Sequence, residues 1–357
     1  MPKFIKLFNL DLHISVIQDV KTHLKRHFNN NVEITEWCLS NHHKIMDKPK
    51  ANPKWINSYN WRNINKKMID QFVSEYKDFL SKFDGFIVTH TPIFSLLYQS
   101  FNKPIYILNS CRFDQPVCGK NNGFRNYYIQ QMRIMNESGI LKIVSNNKAD
   151  QAYLQKETGI YSTHIPSLCN YTQVTYTGKR KQYLQWNGKN LNITNTRRRL
   201  GMQWTGRNQN NNNNTISIIH KQQLGFGYPW SLICEFKGII HIPYEISTMS
   251  LFEHYTSCIP LIIPTKRLLK QMSSCLQTLS NYRMNGNINE WIENADFYDT
   301  ENMPYITYFD NIHQLRRILQ VLDCKKIHMQ MVEHNKKRRL RIENDMDKSF
   351  EIFTKSK

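Results

Sequence analysis

Glycine is sparse and scattered: thirteen in 357 residues, with neither a Gly-x-Gly-x-x-Gly nor a Walker A arrangement. The two common glycine-rich phosphate loops are therefore excluded. No apolar run approaches the roughly 20 residues that cross a bilayer; the longest, such as 258–264, are strand-sized. The opening MPKFIKLFNLDLHIS reaches Asp11 and His13 before an apolar core of signal-peptide length forms, so no secretory signal is expected. Eight cysteines include no C-x-x-C pair and no zinc-like His/Cys spacing, and several sit in apolar runs where a small buried thiol is ordinary. A reduced, cytoplasmic setting is expected. Acid is scarce as well: 28 Asp and Glu stand against 48 Lys and Arg, a formal charge of +20. That field attracts nucleic acid, anionic lipid or a phosphorylated small molecule.

What is present is an alternation of short β-rich and longer helical segments, in a length that suggests about two domains. Strands are expected at 3–10, 32–39, 85–90, 103–110, 141–147 and 161–168, with helical stretches at 14–28, 66–82, 92–101, 124–138 and 148–158. This pattern predicts parallel strands joined by crossover helices, an α/β domain over 1–169. From 170 to 214 it lapses into GKRKQ, NGKNLNITNTRRRLG and an Asn run, read as a basic, Asn-rich linker or insertion. A second α/β domain is expected over 215–310, with strands at 215–221, 238–244 and 259–264 and a helix at 247–257. Residues 311–357 are expected to form a helix, capped by Asp310 or Asn311, and a charged tail.

The stretch GIIHIPYEISTMSLFEHYTSCIPLIIPTK carries Glu245 and Glu253 with seven residues between them. Spacing alone is weak, since Glu293/Glu301 and Glu343/Glu351 share it. Context separates the first pair, because Glu245 follows a strand where open α/β sheets bind ligands. Ser247 and Thr248 then offer N-caps to a helix whose start favours an anion such as a diphosphate. Ionised carboxylates there can grip sugar hydroxyls and a ribose diol, each accepting two hydrogen bonds.

PYEISTMSLFEHYTSCIPLIIPT resembles the Glu-x7-Glu segment of retaining glycosyltransferases of the GT-B fold. Cys258, Ile259 and Pro260 stand at that family's Gly-x-Pro turn, with the usual glycine absent. DGFIVTHTPIFSLLYQSFNKPIYILNSCRFDQPVC (84–118) is similar to the part of the GT-B N-terminal domain where a loop carries a histidine towards the cleft. The overall likeness is to glycosyltransferase-like proteins of large DNA viruses and protists, which would place the chain in host cytoplasm if viral. The resemblance implies two Rossmann-like domains with parallel sheets facing a central cleft. It also implies transfer of a sugar, with retention, from a nucleoside-diphosphate sugar to a glycan or glycoconjugate. Glu245 would hold the transferred sugar, Glu253 the donor ribose, and Ser247 and Thr248 would lie beside the phosphates. His220, Lys221 or Arg207 would meet the departing diphosphate, whose charge grows as the glycosidic bond breaks.

His13 and His90 each follow a strand and are candidates to hydrogen-bond an acceptor or sugar hydroxyl. Arg112 and Asp114 follow another, where they either bind the acceptor or pair with each other. Asp345-Met346-Asp347 matches a D-x-D metal motif only superficially, in a lysine-flanked tail, so no metal or cofactor is expected. The basic runs at 179–181, 197–199 and 336–341 read as solvated faces or as weak contacts with an anionic membrane or polyanion. They lack the interleaved aromatics of a nucleic-acid platform, so no stable nucleic-acid partner is expected. A nucleic-acid-binding protein and a catalytically inactive GT-B module for carbohydrate binding or assembly remain the alternative readings.

Overall fold

A computed structural model of the chain describes residues 4–40, 50–117, 123–187, 216–225, 227–272 and 288–354. The chain forms two compact units, one of residues 1–171 with 340–357, the other of 172–339.

The first unit runs β1 (Ile5–Asp11), α1 (Ile14–His27), β2 (Val32–Cys38), α2 (Lys66–Leu80), β3 (Gly85–Val88), β4 (Ile105–Asn109), α3 (Gly123–Glu137), β5 (Leu141–Ser145), α4 (Lys148–Thr158) and β6 (Thr163–His164). Its sheet has the order β2-β1-β3-β4-β5-β6 with every pairing parallel. Helices cover parallel sheets on both faces, which is why β3 (GFIV) and β4 (IYILN) are buried throughout and read as unbroken apolar runs. Residues 92–101, expected as a helix, form short 3-10 turns, Pro92–Leu97 and Gln99–Phe101. Asn65 and Asn147 cap α2 and α4 by accepting the N–H of Met68 and Asp150, and Gly159 ends α4 at a φ of 75°.

The second unit contains β7 (Tyr183–Asn187), β8 (Ile218–His220), α5 (Trp230–Cys234), β9 (Ile239–Ile242), α6 (Met249–Thr256), β10 (Leu261–Pro264), α7 (Lys266–Gln271), α8 (Ile288–Glu293), β11 (Thr307–Phe309), α9 (Ile312–Val321) and the start of α10 (Cys324–Phe350). Its parallel sheet has the order β11-β10-β9-β7-β8. β7 lies inside the segment read as a linker and is a central strand, with Tyr183, Leu184 and Trp186 buried. Asn311, not Asp310, caps α9; Asp310 binds Thr265 and Arg267 instead.

The charged tail is the 27-residue helix α10. Its last turns belong to the first unit, where Asp347 meets Arg26 at 2.6 Å and Ser349 meets the Tyr106 hydroxyl at 3.1 Å. Asp347, the second acid of the D-x-D triplet, is thus in an ion pair. Among the described residues no helix is long and apolar enough to cross a membrane.

Candidate functional site

Both sheets share one topological feature. In each, the second strand lies outside the first and the third lies on the first's other side, so the strand order reverses between strands one and three. Crevices at such switch points, beyond the carboxyl ends of the strands, are where open α/β sheets take ligands.

In the first unit the switch point lies between β1 and β3, and Asp11 organises it. Its buried carboxylate accepts the backbone N–H groups of Leu12, Thr89 and His90 at 2.6, 2.8 and 2.7 Å, with the hydroxyls of Thr89 and Thr91. So many donors to one ion hold the loop after β3 against the end of β1. The consequence is that His13 and His90, one after each strand, stack with ring centroids 5.1 Å apart. Asp11 was not anticipated as a site residue, because a strand-end aspartate reads as solvated.

Arg112 and Asp114 lie along the same edge, and Asp114 is engaged by α3 and α4. Fully buried, it takes the Nε of Arg125 at 2.6 Å and the Tyr153 hydroxyl at 3.1 Å, and Arg125 also reaches Glu157 at 2.7 Å. Burial pushes the Asp114 carboxyl up, and Arg125 works against that. Asp114 is therefore built into the scaffold of α3 and α4. Arg112 is buried as well.

In the second unit the switch point lies between β7 and β9. Lys221, in the turn after β8, rests its ammonium 3.6 Å from the ring centroid of Trp186 near the end of β7. Trp186 in turn meets the His254 ring edge-on at 4.3 Å and Tyr228 at 6.3 Å. His241 on β9 and His254 on α6 are both buried, 6.3 Å apart, and neither Nδ1 has a hydrogen-bond partner. Burial, reinforced by Lys221, holds both imidazoles neutral: His241 is pushed down to about 3 and His254 well below the usual histidine range.

The two glutamates flank the same region. Burial raises the pKa of the Tyr244 phenol, and Glu245 and Glu253 both add to the rise, so one side chain feels both carboxylates. Glu253 acts likewise on Tyr228. Thr248 is the N-cap of α6, its hydroxyl accepting the Leu251 N–H at 3.3 Å. Replacing Thr248 with Ala should cost about 1 kcal/mol in denaturant unfolding, the usual worth of such a cap. Ser247 does something else: its hydroxyl donates to the buried Asp296 at 2.7 Å, tying the loop after β9 to a turn nearly fifty residues on. His220 has its backbone N–H on the Gln223 side chain at 2.8 Å. Arg207 lies outside the described residues.

The missing glycine has a structural counterpart. Cys258 adopts a φ of 58°, the left-handed conformation that glycine takes most easily. The N–H of Ile259 returns to the His254 carbonyl at 3.1 Å, closing α6 with the turn that ordinarily needs glycine. The backbone thus makes the turn with a buried cysteine, whose sulfur lies 3.2 Å from the Asn335 amide.

No family model matches the chain, and no curated protein matches it in sequence. Among solved structures it is similar to the glycotransferase of kitacinnamycin, with a TM-score of 0.52 and 9% identity over 98% of this chain and 100% of the other. It is also similar to a UDP-glucosyltransferase from Polygonum tinctorium capable of glucosylating indoxyl, with a TM-score of 0.51 and 8% identity over 100% of both chains. At such identities the likeness is one of fold: α/β with two parallel sheets, as in GT-B glycosyltransferases.

Proposed function

We propose that this chain transfers a sugar from a nucleoside-diphosphate sugar to a glycan or glycoconjugate acceptor, with retention of configuration. What supports the reading is the second switch point: Lys221 rests on Trp186 near the end of β7, Thr248 caps the start of α6 after β9, and Glu245 and Glu253 both act on the Tyr244 phenol. In this reading the diphosphate lies against the first N–H groups of α6, where a helix start favours negative charge. The Ser247 and Thr248 hydroxyls hold the loop and the helix in place, so backbone N–H groups carry the anion contact. Lys221 meets the charge that grows on the departing diphosphate, and its seat on Trp186 fixes it beforehand. That cation and the helix start do the electrostatic work, and no metal is assigned to the reaction. Glu253 takes the ribose diol and Glu245 the transferred sugar, while His13 and His90 of the first unit take acceptor hydroxyls.

Thermal unfolding with UDP, GDP, TDP and ADP tests the donor site. At a hundredfold excess over its dissociation constant, the matching nucleotide should add about 2.7 kcal/mol to stability and raise the melting temperature by several degrees. Lys221→Ala should weaken that nucleotide about tenfold while leaving the unliganded melt near its original value. A flat response to all four nucleotides would remove the reading.

A further inference from the structure

Helix α10 presents an outward face that the donor site does not explain. Met329 is 62% exposed and Leu340 63% exposed, both far out in water for side chains of their kind. They lie eleven residues apart, about three helical turns, so they stand one above the other on a single stripe. At about 100° per residue, Lys325 and Lys336 fall on one side of this stripe and Lys326 and Lys337 on the other. All four lysines are exposed. Cys324, Met331, Arg338 and Ile342 are buried on the opposite side, so the protein itself holds the apolar and cationic stripe outward.

Little acid offsets this charge. Glu333 is the one carboxylate within the stripe, and it binds Lys336 at 3.1 Å. No carboxylate of the described residues pairs with the side chains of Lys325, Lys326 or Lys337. Past Leu340 the stripe ends, because Asp347 is taken up by Arg26.

We propose that this face of α10 docks the protein on an anionic lipid bilayer, with Met329 and Leu340 entering the headgroup boundary and the flanking lysines on acidic headgroups. An apolar centre with cations on both sides matches a surface that is greasy below and negative above. A nucleic acid would reward the lysines but gain nothing from Met329 and Leu340, and the stripe carries no aromatic for base stacking. A second copy of the same face would set lysine against lysine. Because exposed lysines carry the attraction, the contact is salt-reversible. The inference is independent of the donor site.

The test is co-sedimentation of the full chain with phosphatidylcholine vesicles prepared with and without phosphatidylserine. Binding is expected only with phosphatidylserine, with release in high salt, a readout that needs no variant. Lys326→Glu with Lys337→Glu should reduce partitioning by at least about 25-fold, about fivefold per cation lost. Met329→Ser with Leu340→Ser should lower it about tenfold or more, with circular dichroism unchanged because both sites are exposed. Neither pair should alter the response to nucleotides. Equal partitioning onto both vesicle types, or indifference to the Met329 and Leu340 changes, overturns the proposal. So does retention on single-stranded nucleic acid that outcompetes vesicles and ignores the apolar pair.

Discussion

Arg125→Met should lower the unfolding free energy by about 3–5 kcal/mol, the usual consequence of stranding a buried charge. The Asp114 carboxylate is fully buried, 2.6 Å from the Arg125 Nε, and the Tyr153 hydroxyl that remains in the variant supplies a dipole but no charge. Glu157, also bound to Arg125, would then add a second anion to the same neighbourhood. Two companion measurements separate this from simple loss of packing. Acid should restore part of the deficit, since a protonated Asp114 carries no charge and burial already pushes its carboxyl up. Asp114→Leu combined with Arg125→Met should recover most of the stability, because an apolar pair needs no desolvation of ions. A deficit below about 1 kcal/mol by urea unfolding would show that the pair behaves as an exposed one.

That pair also shows where sequence reasoning stops. Asp114 was legible as an acid just after a strand, but its partner lies eleven residues on, in a helix whose placement only the folded chain supplies. The inner strands β3 and β4 of the first sheet were legible because parallel strands buried on both faces leave apolar runs that no loop imitates. β7 was not: it holds only Tyr183, Leu184 and Trp186 beside Gln185 and Asn187 behind a GKRKQ stretch, so its apolar content is too small to stand out. β11 is only three residues, Thr307–Phe309. Around Glu245 and Glu253, the strand β9, the Thr248 cap and the helix α6 were legible. Asp11 and Asp296 were not, since an acid that holds a loop by accepting its N–H or O–H groups looks like any other until those donors are known. The buried histidines hid differently, each inside an apolar segment that predicts its element correctly without regard to its own polarity.

Those histidines give the second unit a sharp acid limit. His241 and His254 are neutral when folded because burial and Lys221 oppose their protonation, whereas in the unfolded chain each titrates near its ordinary 6.5. Above about pH 6.5 neither state binds these protons and stability is at its full value; below it the unfolded state binds more, so stability falls as pH falls. For His241 the decline continues down to about 3. Each group contributes up to about 1.4 kcal/mol per pH unit, and the two together about 2.7. Hydrogen exchange of peptides covering β9 and α6 at pH 7.5 and pH 5 measures this within the unit itself. His23, buried and lowered in the first unit, acts on that unit separately. His241→Phe and His254→Phe should each flatten the slope by about half. Lys221→Met should move the acid transition to lower pH, because the cation that opposes both protonations is gone. The other groups bearing on this region, Glu245, Glu253, Tyr228 and Tyr244, are two acids and two phenols; they leave the direction unchanged. A protection pattern equal at both pH values would mean that the imidazoles reach water when folded. Otherwise the ammonium on Trp186 also keeps the floor of the switch point uncharged, so acid and Lys221 act on one structural element.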